Sequence, residues 1–296
     1  MTSTGQFKAV HFFSSLVLAS LVGAGAAQAT SPADLAAQAD KAYSARGFDA
    51  AGVKNAEQAA TLFGQAAQAE TANSLKAVYL GRQAEALYFV GYAAADRSTK
   101  ISIHDQGYRV GDQVAQLFGL NDIRNVSDQV VTQLRQSLSA ADQVALASGL
   151  YHRATNLGQW GSASGVTTSI GRWPELRANL ELVNRLGQGS LFHFGANRVL
   201  GRAYFKIPSL MGGSVSTAER LLAEAVTKTA APGQKFSVNG YNNIFYAEVL
   251  EYQGKKQEAI DLLNGFISAD VTVLRPDAIP ESKRAQQEAQ DLLNSW

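Results

Sequence analysis

Apolar residues recur at spacings of three and four along almost the whole chain, which is the period of a helix with one buried face. Ala36, Ala39 and Tyr43 mark a first helix, opened by Ser31 as a cap and Pro32 at the first helical position. Ala59, Leu62, Phe63, Ala66 and Ala67 mark a second, from about Lys54 to Ala72, after a loop bracketed by Gly47 and Gly52. Leu80, Ala84, Leu87 and Gly91 mark a third, from about Leu75 to Ala95. A polar stretch from Asp96 to Ile103 then precedes a helix that runs to about Phe118. Further helices are predicted at about Val126–Ser137, Ala140–Gly158, Leu191–Lys206, Ser216–Thr229, Gly240–Gln253, Lys255–Ser268 and Ser282–Ser295. Gly158 to Ser169 is rich in Gly, Ser and Thr and reads as a long loop or a helix end folding back. Pro174 is expected to start the next helix, which stops at Gly187 and Gly189. Only Val271–Leu274 looks strand-like, so strand–helix alternation is absent and a doubly wound sheet is disfavoured.

Small and large residues in the last third are placed for close helix pairing. Ala247 and Leu250 precede a turn at Gly254, and Ala259, Leu263 and Phe266 follow it. Small residues let two antiparallel helices approach, and large ones a turn away fill the space around the contact. Gly201 and Tyr204, then Ala218, Leu222 and Ala225, repeat the scheme with extra residues in the connector Ile207 to Gly213. This spacing resembles the tetratricopeptide repeat, with Phe266 standing where that repeat has a small residue. The expected fold is all-α: antiparallel helix pairs in a right-handed, tetratricopeptide-like α-solenoid, one continuous domain over 30–296 and clearest over 191–268.

The segment Phe192 to Tyr204, the connector Pro208 to Gly213 and the helix Ala218 to Ala225 together resemble the T component associated with tripartite ATP-independent periplasmic (TRAP) transporters. The resemblance implies a helical periplasmic protein that partners a substrate-binding protein and handles a small hydrophobic or organic-acid ligand, with self-association into a homo-oligomer also in prospect. Members are commonly lipoproteins, whereas this sequence has no cysteine, and Ser214 follows the glycine pair where an acidic residue is expected. The rival expectation is a periplasmic tetratricopeptide scaffold for envelope assembly with no transporter link.

Composition narrows the chemistry. Proline is scarce, at 6 residues in 296, and alanine is abundant, which favours helix. With 26 Lys and Arg against 25 Asp and Glu, no basic excess invites nucleic acid. The absence of cysteine removes disulfides, thiolate metal sites and cysteine nucleophiles. Lys8, the apolar run Ala9 to Ala27 and the triplet Ala27-Gln28-Ala29 fit a secretory signal peptide over 1–29, cleaved after Ala29 into a periplasmic protein.

Few residues carry reaction chemistry. His11, His104, His152 and His193 lie far apart, none belongs to a zinc-binding helix motif, and the last two read as polar edges of helices. Gly161 to Gly165 lacks the serine spacing of a nucleophile elbow, and no phosphate-binding loop is present. No metal, cofactor or catalytic set is therefore expected, and the protein reads as a non-enzyme. Arg198 and Arg202, four apart, suit a carboxylate ligand, or else ion pairs with Glu219 or Glu224. Trp160, Phe194 and Tyr241, with Trp173, Phe192 and Phe245, are candidates to line a ligand pocket, although aromatics at helical spacing also build cores. Pro208, Gly212 and Gly213 are expected to form a structural turn of positive φ, capped by Ser214 or Ser216.

Overall fold

A computed structural model describes residues 30–296, and the expected signal peptide over 1–29 lies outside the described residues. Among the described residues the regular structure is helical, with one isolated bridge between Ala230 and Ser237. The helices are α1 (Pro32–Ser44), α2 (Ala50–Ala69), α3 (Asn73–Ala93), α4 (Arg97–Leu117), α5 (Asp128–Ser137), α6 (Ala140–Ser164) and α7 (Val166–Arg185). They continue with α8 (Leu191–Lys206), α9 (Val215–Lys228), α10 (Gly240–Tyr252), α11 (Lys256–Ile267), α12 (Val271–Leu274) and α13 (Ile279–Asn294).

Short polar side chains start most of these helices by accepting an otherwise unpaired N–H of the first turn. Ser31 takes the Asp34 N–H, Ser139 that of Asp142 and Ser214 that of Thr217. The same device overturns two expectations. Asp96 accepts the Thr99 N–H at 2.8 Å, so the polar stretch after it is the first third of α4. Asp270 accepts the Thr272 N–H at 2.9 Å and turns Val271–Leu274 into a helical turn instead of a strand. The expected loop at 158–169 is also helical. α6 runs through it to Ser164, and the chain breaks only at Gly165, whose φ of 116° is open to glycine alone. Pro174 lies inside α7 and does not start it; buried Trp173 and Leu176 on either side anchor the helix where proline removes a backbone bond.

Consecutive helices pack on one another from α1 to α4, from α6 to α11 and from α12 to α13, and a second set of contacts joins helices further apart in the chain. α3 packs on α4 and α6, α4 on α6, α8 on α9 and α10, α9 on α10, α10 on α11 and α13, and α11 on α13. The small residues anticipated in the last third are where helices meet: Ala218, Ala247 and Ala259 are fully buried, as are Leu222 and Leu263. Phe266 is fully buried too. Its ring sits against Gly240, where an added Cβ would lie 2.5 Å from it, so a glycine on α10 supplies the space that a small residue on α11 would have left.

The tightest pairing joins α4 to α6. A Cβ at Gly111 would stand 2.5 Å from Arg153 Cβ and 2.8 Å from its Cα, a backbone atom that cannot step aside alone. Gly111→Ala is accordingly expected to destabilise the fold by about 3 kcal/mol, the upper part of the range for overpacking, measured by urea unfolding.

Candidate functional site

The start of α8 departs from right-handed geometry. Phe192, His193 and Phe194 have φ of 53°, 57° and 57°, three consecutive non-glycine residues in the left-handed region. Each such residue costs about 1–2 kcal/mol, so the turn persists only because its surroundings hold it. Arg198 does most of the holding. Its Nη1 donates to the carbonyls of Phe192 (3.1 Å) and His193 (3.4 Å) and to Asn242 Oδ1 (3.1 Å), and its Nη2 donates to the Tyr151 hydroxyl at 2.7 Å. Asn242 Nδ2 adds a bond to the His193 carbonyl at 3.1 Å. The Phe192 ring stacks on Tyr151 with centroids 4.5 Å apart. Gly195 then passes against the Tyr151 ring, where an added Cβ would be 2.6 Å away.

Arg198 is therefore a buried strut on the backbone, 9% exposed, and it pairs with neither Glu219 nor Glu224. Glu219 takes Gln253 and Lys255, and Glu224 accepts from Asn197. One turn on, Arg202 forms its ion pair with Glu248 instead, shared with Lys206 at 3.1 Å, and its guanidinium lies 4.6 Å from the Phe245 ring centroid. Tyr241 stands beside Phe245, so Arg202, Phe245 and Tyr241 do converge.

The same spot joins the two ends of the described chain. Tyr92 on α3 donates to Glu288 Oε1 on α13 at 2.7 Å, which leaves Tyr241 as the donor in the 2.7 Å bond between the two phenols. Arg284 donates to Glu288 and lies over the rings of Phe48 and Tyr92. Further along, Arg46 donates to Glu281 at 2.7 Å and to the Asp277 carbonyl at 2.8 Å. Burial, with Glu288 nearby, pushes the Tyr92 phenol up to about 12 and raises Tyr241 well above the ordinary range, so both stay protonated donors.

The remaining candidates are elsewhere. Trp160 packs on the α6–α7 core with Arg172 over its ring at 5.3 Å, and Trp173 is core, edge-on to Tyr204. Phe194 lines a cleft of about 410 Å³ bounded by α7, α8 and α9. The connector forms the expected turn: Gly212 N–H bonds to the Ser209 carbonyl, Gly213 N–H to that of Pro208, and Gly212 has φ 93°. Gly213 is not of positive φ. It is needed because its α-carbon lies against the Ile207 carbonyl with no room for a Cβ. The turn presents Leu210 almost fully exposed beside a second cavity of about 370 Å³.

Sequence reasoning missed three things. The left-handed turn has no glycine or asparagine to announce it; the nearest signal is Gly195 just beyond. Asn242 and Asn243 are fully buried, and their neighbour Tyr241 gave no hint of it. His152 is an interior group rather than the helix edge expected, His193 is half-buried in the left-handed turn, and His104 is buried as well. His104 Nδ1 is 3.0 Å from Asn156 Oδ1, whereas His152 Nδ1 has no hydrogen-bond partner. Burial pulls His152 down to about 4, and burial with Arg275 and Arg198 nearby pulls His193 down to about 4. Among the described residues no group of three His, Asp or Glu side chains is placed to hold a metal ion. What the site offers is protonated phenols, aromatic faces and paired charges, which suit recognition. No protein-family model matches the chain, and no curated protein matches it.

Two outcomes follow from this geometry. Arg198→Met takes the buried donor away from the Phe192 carbonyl and from Asn242 Oδ1 and is expected to cost about 3 kcal/mol or more, while Arg202→Met, at a partly buried pair whose Glu248 keeps Lys206, costs less, about 1–2 kcal/mol; thermal unfolding compares them. His152 and His193 are neutral when folded and take up protons on unfolding below the ordinary histidine range. Stability is then full above about pH 6.5 and falls as pH drops toward 4, and in a pH series of unfolding midpoints His152→Gln should flatten that fall.

Proposed function

We propose that the protein is a non-catalytic helical-repeat binding protein of the periplasm, similar to the TRAP transporter T component, which offers its concave face to a periplasmic substrate-binding protein and to a small ligand. The observation that carries this reading is the recurrence of one packing unit. An inner helix touches both its outer partner and the next inner helix, as α3 does α4 and α6, α8 does α9 and α10, and α10 does α11 and α13. Such stacking buries a continuous core from units that cannot bury their faces alone. The inner helices α3, α8, α10 and α13 bring Tyr92, Arg202, Tyr241 and Glu288 together on their common side, and aromatic and hydrogen-bonding groups on a concave wall are what partner recognition uses. The protein's role is then set by what it binds and carries, with no cofactor required.

Native mass spectrometry of the protein from a periplasmic fraction tests this directly. The expected mass starts at Thr30 and rises by a stoichiometric increment when a TRAP substrate-binding protein is added, whether the chain runs as a monomer or a homo-oligomer. A mass retaining Met1 overturns export. An exported chain that ignores the substrate-binding protein supports the envelope-scaffold reading instead.

A further inference from the structure

The cleft beside Phe194 carries two charges, Arg220 and Glu224, that no ion pair answers. Its walls come from α7, α8 and α9, and it contains about 410 Å³, within the size of small-molecule sites. Glu224 and Arg220 both line it, four residues apart on α9, so their head groups reach over the same stretch of roughly 5–6 Å. Among the described residues neither has an opposite charge within 4 Å, although the neighbouring charges are paired: Glu181 with Arg177, Glu219 with Lys255 and Glu248 with Arg202.

A polar chain fixes the orientation of the groups around Glu224. Asn197, 5% exposed, donates from Nδ2 to Glu224 Oε2 at 3.0 Å. A carboxylate only accepts, so Asn197 must turn its oxygen the other way, and there it accepts from Asn184 Nδ2 at 3.0 Å. Asn184 is left presenting its own oxygen at Gly189, where an added Cβ would lie 2.6 Å from it. The cleft thus has acceptors from α7 and α9, a guanidinium from α9 one turn away from Glu224, and the Phe194 ring in its lining.

We propose that this cleft binds a small zwitterion of the α-amino-acid class. The ammonium group meets Glu224 and the Asn184 oxygen, the carboxylate meets Arg220, and an apolar side chain lies against Phe194 and Leu221. The single helical turn between Arg220 and Glu224 suits charges borne on one carbon and excludes the distant termini of a long peptide. A bidentate guanidinium–carboxylate contact and an ammonium–carboxylate contact satisfy both orphan charges at once. The proposal rests on the binding-protein reading above and names the ligand class it would take.

Isothermal titration of the full mature chain with L-leucine, L-phenylalanine, L-lysine and L-glutamate, and with butylamine and butyrate as half-ligands, tests it. The expected result is saturable binding of at least one amino acid, with each half-ligand at least tenfold weaker. Glu224→Gln, which preserves size, and Arg220→Gln, which removes only an exposed guanidinium, should each weaken that binding at least tenfold with unchanged helicity by circular dichroism, while Lys228→Gln at the exposed end of α9 leaves it intact. No binding of any amino acid, butylamine binding as tightly as the amino acids, or binding indifferent to both Glu224→Gln and Arg220→Gln each overturns the proposal. An exported chain that meets the substrate-binding protein but binds no amino acid loses the cleft alone. Amino-acid binding by a chain that retains Met1 keeps the cleft and loses the transporter reading.

Discussion

The middle of this protein depends on one buried guanidinium. Arg198 sits on α8 and reaches α6 through Tyr151 and α10 through Asn242, while its remaining bonds clamp the carbonyls of the left-handed turn on its own helix. All of its partners are neutral oxygens. A cation solvated by protein dipoles in this way binds direction as well as charge, because each carbonyl must point at the fork for the arrangement to close. The left-handed turn is thus both what Arg198 needs for solvation and what Arg198 makes possible. Its outcome is an α8 whose first residues point Phe192 into the Tyr151 stack and Phe194 the opposite way, into the cleft.

Around that point the helices are held by absences of side chain as much as by their presence. Gly111 admits Arg153, Gly240 admits Phe266 and Gly195 admits Tyr151. In each case a large or charged group on one helix occupies volume that a Cβ on the next would have claimed. Interiors packed this closely tolerate little adjustment, so the placement of a distant glycine decides where a functional side chain stands.

How much of this could be read in the sequence follows from the range over which each feature is encoded. Helix positions are local, and the three-and-four spacing of Ala59, Phe63 and Ala66 or of Leu80, Ala84 and Leu87 announces them without reference to the rest of the chain. The errors occurred where a local signal had a second meaning. Pro174 and the glycines between 158 and 169 usually mark ends, yet burial of Trp173 and Leu176 kept the helix going. The site was less legible, because its parts come from far apart. Nothing within ten residues of Arg198 says that Asn242 will take its third bond, and nothing near Tyr92 names Glu288, 196 residues away. Arg202 on α8 comes together with Phe245 and Tyr241 on α10 because the two helices pack on each other there, whereas Trp160 has the same composition signal but faces a different core.

The contact between the two ends of the described chain has a mechanical meaning. It is made by long side chains, Tyr92 to Glu288, Arg284 to Phe48 and Tyr92, and Arg46 to Glu281, without extensive helix-on-helix packing. Without these bonds, a small rotation at a joint such as that at α8 would simply swing α13. With them in place, the rotation must be shared by the helices between α3 and α13 or released at the bonds themselves, which makes a handful of polar side chains the place where displacement arising elsewhere in the molecule is felt first.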